Sequence, residues 1–448
     1  MSTARSFTDG SLGKQIFKFS IPLMFSNVLQ VLFNMSDIAV VGRFAGSSAL
    51  GSVGSTTTLV TLFTGFLMGM GSGVNALTAR FFGGKNEREL KDTVHTSAII
   101  CLIMGILILV LGLTMSGGFL RLLNTKDDLI EGAKLYLKIY FLGMPAMALF
   151  NYGNAVLSAI GDTKTPLIYL SIAGVINIIL NLLFVIVCKL SVAGVAISSV
   201  ISQYISAFLI IRLLMKSREI YSLKLSELHI TKARAFDVLR IGIPTGCQYA
   251  LFQIANLFIQ AGVNSFDSVV VKGNSAAANA DTLVYDVMAA FYTACSSFIG
   301  QNFGAGQKKR VLKSYFVCLA FSFGAGLFFG LLLVVFGRQF LELFTTEAEV
   351  AQAAMMRLRI MGFCYCISAF MDCATAACRG IGKSIVPMII IIMGSCILRI
   401  VWIYTVFAYY HTITALYLVY LFSWTVTAIA ENIYFAYSYR RLPDGVKA

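Results

Sequence analysis

Apolar runs of about 18 or more residues recur along the whole of this chain, and each is long enough to cross a hydrocarbon core about 30 Å thick as a helix. In lipid, every backbone N–H and C=O needs a partner inside the chain, so these runs have few options besides helix. The runs predict twelve spans, at 16–44, 53–79, 93–116, 132–160, 166–188, 191–214, 238–265, 275–300, 314–337, 351–380, 385–410 and 413–437. Hydrophobic residues make up 58% of the sequence and charged residues only 12%, which excludes a soluble domain with charge interleaved at helical or strand period. The expected fold class is an all-α integral membrane protein. The opening "MSTARSFTDGSLGKQIFKFSIP" lacks a short apolar core with a small-residue cleavage site, so no removable signal peptide is expected.

The formal net charge of +14 would suit a nucleic-acid surface, but the basic residues fall mostly in alternate loops. With both termini on one side, that side collects about 24 of the 35 Lys and Arg, against about 10 on the other. Both termini are therefore expected in the cytoplasm, and no nucleic-acid partner is expected. The largest basic share lies in the 212–240 connection, from Arg212 to Arg240, where it acts as a topology signal beside anionic lipid. The ten cysteines lie almost all in apolar runs without a CxxC pair, and are expected to pack rather than bind metal. His95, His229 and His411 read as isolated polar residues near helix ends.

The chain also repeats itself at an offset of about 221 to 222 residues. "FSIPLMFSNVLQVLFN" (19–34) aligns with "RIGIPTGCQYALFQIAN" (240–256), pairing Pro22 with Pro244 and Asn34 with Asn256. "RFFGGKNERELK" (80–91) falls on "QNFGAGQKKRVLK" (301–313), "LLNTKDDLI" (122–130) on "LFTTEAEV" (343–350), and "AIGDTKTP" (159–166) on "GIGKSIVP" (380–387). Six helices thus recur in the same orientation, a parallel repeat of the kind that in secondary transporters brackets a substrate path. The expected organisation is a cytoplasmic N-terminal segment (1–15), an N-lobe (16–214), a basic inter-lobe loop (215–237), a C-lobe (238–437) and a cytoplasmic tail (438–448). The Gly-rich segments after the second helix of each repeat lack P-loop spacing, so any pumping must draw on an ion gradient rather than on ATP.

Polar residues inside the spans mark the candidate site. Asn27, Gln30, Asn34 and Asp37 form one stripe on the first helix. A charged aspartate at mid-bilayer costs about 2.5–3.5 kcal/mol on insertion scales, so this stripe must face another helix or a water-filled cavity. The seventh helix repeats the construction with Gln248, Gln253, Asn256, Gln260 and Asn264. Asn177 and Asn181 stand at i, i+4 on the fifth helix, Asn151, Asn154 and Ser158 on the fourth, and Ser198, Ser199, Ser202 and Gln203 on the sixth. Amides and hydroxyls also serve as interhelical glue; glue, however, does not require the titratable group of Asp37. A helix-end pair of Asp37 with Arg43 is the competing arrangement. Asp281 and Asp286 either face the second cavity and bind cationic substrate or serve internal hydrogen bonds. Asp372 and Arg379 share a helix face, while Arg399 and Glu431 need partners that sequence does not name.

The repeat, with "IPLMFSNVLQVLFNMSDIAVVGRFAG", "LSAIGDTKTP", "NIILNLLFVI", "VAGVAISSVISQ", "IGIPTGCQY" and "SSFIGQNFGAG", resembles the bacterial multidrug and toxic compound extrusion (MATE) family from about residue 12 to 440. The resemblance implies a two-lobe, twelve-helix exporter of small organic cations or amphipathic molecules, exchanging them for H⁺ or Na⁺ by alternating access in the bacterial cytoplasmic membrane. It further implies that Asp37, with Asn34, Asn177, Asn181 and Ser199, forms the cation-coupling site of the DinF-like branch. Asn27, Gln30, Asn154, Gln248, Gln253, Asn256, Gln260, Asn264, Asp281 and Asp286 would line the substrate cavity, and Pro22 and Pro244 would serve the conformational change. Two positions depart from the family's pattern: Asn181 stands where the DinF-like branch usually has Asp, and the carboxylate that the NorM-like branch uses in helix 7 is missing, with Phe252 and Gln253 in that neighbourhood. A lone Asp37 would carry one H⁺ or one Na⁺ per cycle. No cofactor is expected beyond that ion, the partners are substrate and membrane lipids, and the chain is expected to act as a monomer. A lipid-linked precursor flippase, a passive channel and a polytopic membrane enzyme are the alternatives.

Overall fold

A computed structural model describes residues 6–123, 125–342 and 347–443. Asn124 and residues 343–346 of the third repeat match, and the outer ends of the terminal segments, lie outside these described residues. Among them the chain is helical with no strand. In order run α1 (Leu12–Phe44), α2 (Ser47–Gly83), α3 (Glu87–Leu122), α4 (Asp127–Phe141), α5 (Met144–Ala159), α6 (Lys164–Leu182) and α7 (Ser191–Lys216). They are followed by α8 (Lys232–Val263), α9 (Ser268–Gly304), α10 (Lys308–Leu341), α11 (Ala348–Gly380), α12 (Ile385–Ile391), α13 (Leu398–Trp402), α14 (Ala408–Tyr410) and α15 (Ile413–Arg440). Ten stretches are singly long and apolar enough to cross a membrane, and α4 with α5 makes an eleventh, bent by 47°. The bend falls at Gly143, where Pro145 in the first turn of α5 withholds a backbone N–H from the turn before it. The remaining expected span, α8, is as long as the others, but its amides and its charged first turns make it less apolar.

The repeat recurs in backbone detail. Between α2 and α3, the N–H groups of Lys85 and Asn86 bond the carbonyls of Phe82 and Phe81; between α9 and α10, those of Gly306 and Gln307 bond Phe303 and Asn302. Lys85 and Gly306 both hold left-handed backbone, with φ of 53° and 70°. Gly161 and Gly382, at φ 92° and 81°, head the second matched pair of turns, each followed by a bond back across the turn from Asp162 and Lys383. A π-helical stretch follows α6 (Leu183–Val187), and two interrupt the span that contains α12 to α14 (Ile392–Ile397 and Ile403–Phe407). Such i→i+5 segments are rare and concentrate at functional sites.

Two compact units divide the chain, and the division passes through α1 and α8: one unit takes Phe25–Ala250, the other Phe7–Met24 with the chain from Leu251 onward. The first unit packs around Val74, Leu77, Val94, Tyr152 and Ile210, and around Val41, Leu137, Phe141 and Val195. Within it α2 and α8 cross at glycines: a Cβ on Gly69 would stand 2.3 Å from the Gly246 nitrogen, so only small residues allow this approach. The second unit packs around Phe298, Met288, Tyr417 and Leu358. There Phe7 stacks on Phe298 at 3.8 Å and donates its N–H to Gln301 Oε1, while Arg310 donates to the carbonyls of Phe7 and Asp9.

Candidate functional site

In the first unit, α1, α6 and α7 bring Asp37, Asn177, Asn181 and Ser199 together. Asn181 Nδ2 donates to Asp37 Oδ1 at 2.5 Å and to Asn177 Oδ1 at 3.1 Å, which uses both of its N–H groups. Ser199 Oγ donates to Asp37 Oδ2 at 3.1 Å. Each carboxylate oxygen thus receives one neutral donor, and among the described residues no Lys or Arg pairs with Asp37. Arg43 is exposed, so the helix-end pair is not formed. The i, i+4 spacing of the asparagines on α6 lets one amide orient the other, and the π segment begins two residues beyond Asn181. Asn181 is fully buried, and its Oδ1 has no hydrogen-bond partner among the described residues, an acceptor oxygen held beside a carboxylate.

Two tyrosines that sequence reading passed over belong to the same neighbourhood. Tyr136 and Tyr140 of α4, buried and stacked at 5.7 Å, lie within electrostatic reach of Asp37. Their i, i+4 spacing was visible, but tyrosines at that spacing equally fill a core. Asn34 lies apart from these bonds: it is exposed one turn before Asp37. Asn27 and Gln30 are half-buried farther back on α1, Asn154 accepts from Ser158 at 3.4 Å, and Gln248 is buried on α8.

The second unit carries two polar networks in which arginines take the leading part. Arg357 of α11 donates through Nε and Nη2 to Asp281 Oδ2 at 2.9 and 2.5 Å, and through Nη1 to Asn274 Oδ1 at 2.6 Å. Tyr365 donates to the other oxygen of Asp281. Asn274 donates to Gln260, which donates to Asn264. Asp281 therefore has its charge met within the protein. Arg399, fully buried, donates to Asn256 at 3.0 Å and Ser423 at 3.2 Å, and lies over the rings of Phe252 and Tyr420. Glu431 is also fully buried, with Arg379 and Asp372 within electrostatic reach. Gln253 and Asp286 are half-buried, while Pro22 and Pro244 sit inside α1 and α8. Among the described residues no group of three or more His, Cys, Asp and Glu could hold a metal ion.

Near the N-terminal end of α3 and in the connection after α7, two histidines are less isolated than the sequence suggests. His229 stacks on His95 at 5.9 Å because the 217–231 connection folds back onto α3. His95 Nδ1 faces the Lys91 carbonyl and its Nε2 faces the Lys224 N–H, an arrangement that suits the neutral ring. His229 faces acceptors with both nitrogens, the Glu227 carbonyl at 2.7 Å and Asp92 Oδ1 at 3.0 Å, which suits the doubly protonated ring. Those two bonds, to Glu227 first and to Asp92 second, raise its pKa.

A parallel repeat of six membrane-spanning helices is a construction that many transporters share. The MatE family model matches residues 22–183 and again 244–405, and the chain belongs to that family. The matched stretches start at Pro22 and Pro244, the prolines paired by the internal repeat. "Probable multidrug resistance protein YpnP" of Bacillus subtilis is 29% identical over 81% of each chain. The same organism's "Probable multidrug resistance protein YoeA" is 28% identical over 86% of this chain and 84% of its own. A solved MOP superfamily transporter from Pyrococcus furiosus superposes with a TM-score of 0.91 over 99% of each chain at 21% identity, a likeness of fold. The chain is a multi-pass membrane transporter of the multidrug efflux family and not an enzyme.

Proposed function

We propose that this protein exports small organic cations or amphipathic molecules in exchange for H⁺ or Na⁺, with the cluster at Asp37 as the coupling site and both termini in the cytoplasm. The observation that carries this reading is the contrast between the two aspartates. Asp281 is neutralised by Arg357, whereas among the described residues Asp37 is met only by the neutral donors Asn181 and Ser199, leaving its charge for an ion to balance. Asn181 can serve two states of that carboxylate. Its Nδ2 donates to the ionised form; with the amide turned, its Oδ1 would accept from protonated Asp37 or ligate Na⁺ beside it. Ion binding from outside favours the state that releases substrate outward, and ion release inward resets the transporter. To shift such an equilibrium from 1:99 to 99:1, the ion must bind one state about 5.5 kcal/mol more tightly than the other.

Uphill export of ethidium from proteoliposomes under an imposed pH or Na⁺ gradient tests the reading, with wild type compared to Asp37→Asn. One gradient is expected to drive wild-type export, and the variant, still monodisperse, is expected to fall to the level of empty vesicles. Gradient-driven export by Asp37→Asn would move coupling away from this cluster.

A further inference from the structure

An open groove of about 470 Å³ runs along the first half of α10, lined by Lys309, Leu312, Lys313, Phe316, Val317 and Phe321. Lys309, Lys313, Phe316 and Ala320 form one exposed stripe, with the lysines at the helix start and only apolar groups beyond them. The start of α1 lies alongside. Phe17 packs on Phe321 with ring centroids 5.8 Å apart, and Arg310 reaches Gln15 Oε1 at 3.5 Å. On α1 the exposed Lys14 and Lys18 flank Phe17, so the neighbouring helix brings two lysines of its own. Among the described residues none of the four makes an ion pair. Two carbonyls of the N-terminal segment, Phe7 and Asp9, are taken by Arg310. The Asp9 carboxylate is the acidic group closest in sequence to these lysines, and it accepts from Thr8 Oγ1.

From Lys313 to Phe321 the helix rises about 12 Å, close to half of a hydrocarbon core about 30 Å thick. The groove therefore has a cationic end and an apolar floor of about 12 Å, close to the thickness of one leaflet. Basic pockets between spans that open onto the membrane surface select anionic headgroups, and lysine stems can lie along an apolar wall while their ammonium groups reach the interface. We infer that the groove along α10, beside the start of α1, is a binding site for an anionic phospholipid of the leaflet on the side of the chain termini. Its phosphate sits at Lys309 and Lys313, with Lys14 and Lys18 adding positive charge on the neighbouring helix, and an acyl chain lies along Phe316, Val317 and Phe321. A lipid seated there would brace the start of α1 against α10.

The test is site-directed quenching in vesicles of equal phosphatidylglycerol and phosphatidylcholine, with one lipid brominated at a time. Phe316→Trp is the probe, read after subtraction of the native Trp402 and Trp424 signal, and Ala320→Trp reads the same groove should the first variant fold poorly. Brominated phosphatidylglycerol is expected to quench the probe at least twofold more than brominated phosphatidylcholine. Replacing Lys14, Lys18, Lys309 and Lys313 with Ala in the probe background is expected to bring that ratio to one. Equal quenching by the two lipids with the lysines present, or a preference that survives their loss, overturns the site.

Discussion

At the scale of single residues, the proposed coupling role of the Asp37 cluster makes Asn181 the residue that sets how many charges it holds. Its amide spends both N–H groups, on Asp37 and on Asn177; a carboxylate in its place would accept rather than donate. Two carboxylates at that distance share a titration, and both would need an ion to be neutral together. Asn181→Asp is therefore expected to raise the charge exchanged per substrate from one to two, read as the substrate gradient that balances a fixed ion gradient in proteoliposomes; an unchanged balance point would remove Asn181 from the ion's surroundings. The sequence made Asp37, Asn177, Asn181 and Ser199 legible because each is a polar group in an apolar run, and helical spacing puts the two asparagines on one face. It set Asn34 on the same stripe, and the structure leaves Asn34 exposed and outside these hydrogen bonds, since periodicity sorts residues onto a stripe about 100° wide but does not say where a neighbouring helix ends. It missed Arg357 as the partner of Asp281 because the two lie 76 residues apart with no shared local pattern.

At the scale of elements, the turns and the 217–231 connection show what the repeat leaves out. Lys85 and Gly306 hold the same left-handed backbone in equivalent turns, but only glycine does so without steric cost. Lys85→Gly is expected to stabilise the protein by about 0.5–1 kcal/mol, raising the thermal midpoint by roughly 1–2 °C; a fall would mean that the Lys85 side chain contributes more than its backbone costs. The 217–231 connection has no counterpart in the repeat, and its fastening depends on pH. His229 has its pKa raised by the Glu227 carbonyl and Asp92, so its contribution is complete below the ordinary histidine value of about 6.5 and is lost as pH rises through the higher folded value. Glu227 runs the other way. Hydrogen bonds from Lys91 and Lys224 lower its pKa to about 2, so its contribution holds above the ordinary carboxylate range and is lost only in strong acid. Amide exchange in 217–231, corrected for the intrinsic rate, should therefore quicken between pH 6 and 9 in wild type. His229→Ala should exchange quickly throughout, with a difference below about 1 kcal/mol, as an exposed pair warrants.

At the scale of the whole molecule, the repeat is closely kept in backbone and sharply divided in chemistry. Matched turns, matched glycines and π segments in both copies show one architecture used twice, and the apolar runs together with the constant offset were enough to foresee it. The chemistry diverges because, among the described residues, Asp37 of the first unit is met only by the amide of Asn181 and the hydroxyl of Ser199, while the second unit answers Asp281 with Arg357. In the proposed cycle, ion binding at Asp37 acts through helices that belong to both units, and α1 is such a helix, with Asp37 toward its far end. Asn34, exposed one turn before Asp37, is placed to report the change. Of the ten cysteines only Cys188 and Cys247 are not buried, so Asn34→Cys in a Cys188→Ser, Cys247→Ser background gives a clean thiol. Its rate of labelling by a membrane-impermeant maleimide is expected to change at least tenfold between saturating and absent coupling ion, well within what about 5.5 kcal/mol of differential binding allows. Adding Asp37→Asn should remove the ion dependence and fix one rate. If labelling ignores the ion in wild type, ion occupancy at Asp37 does not select between states, and the alternating-access scheme loses its coupling step.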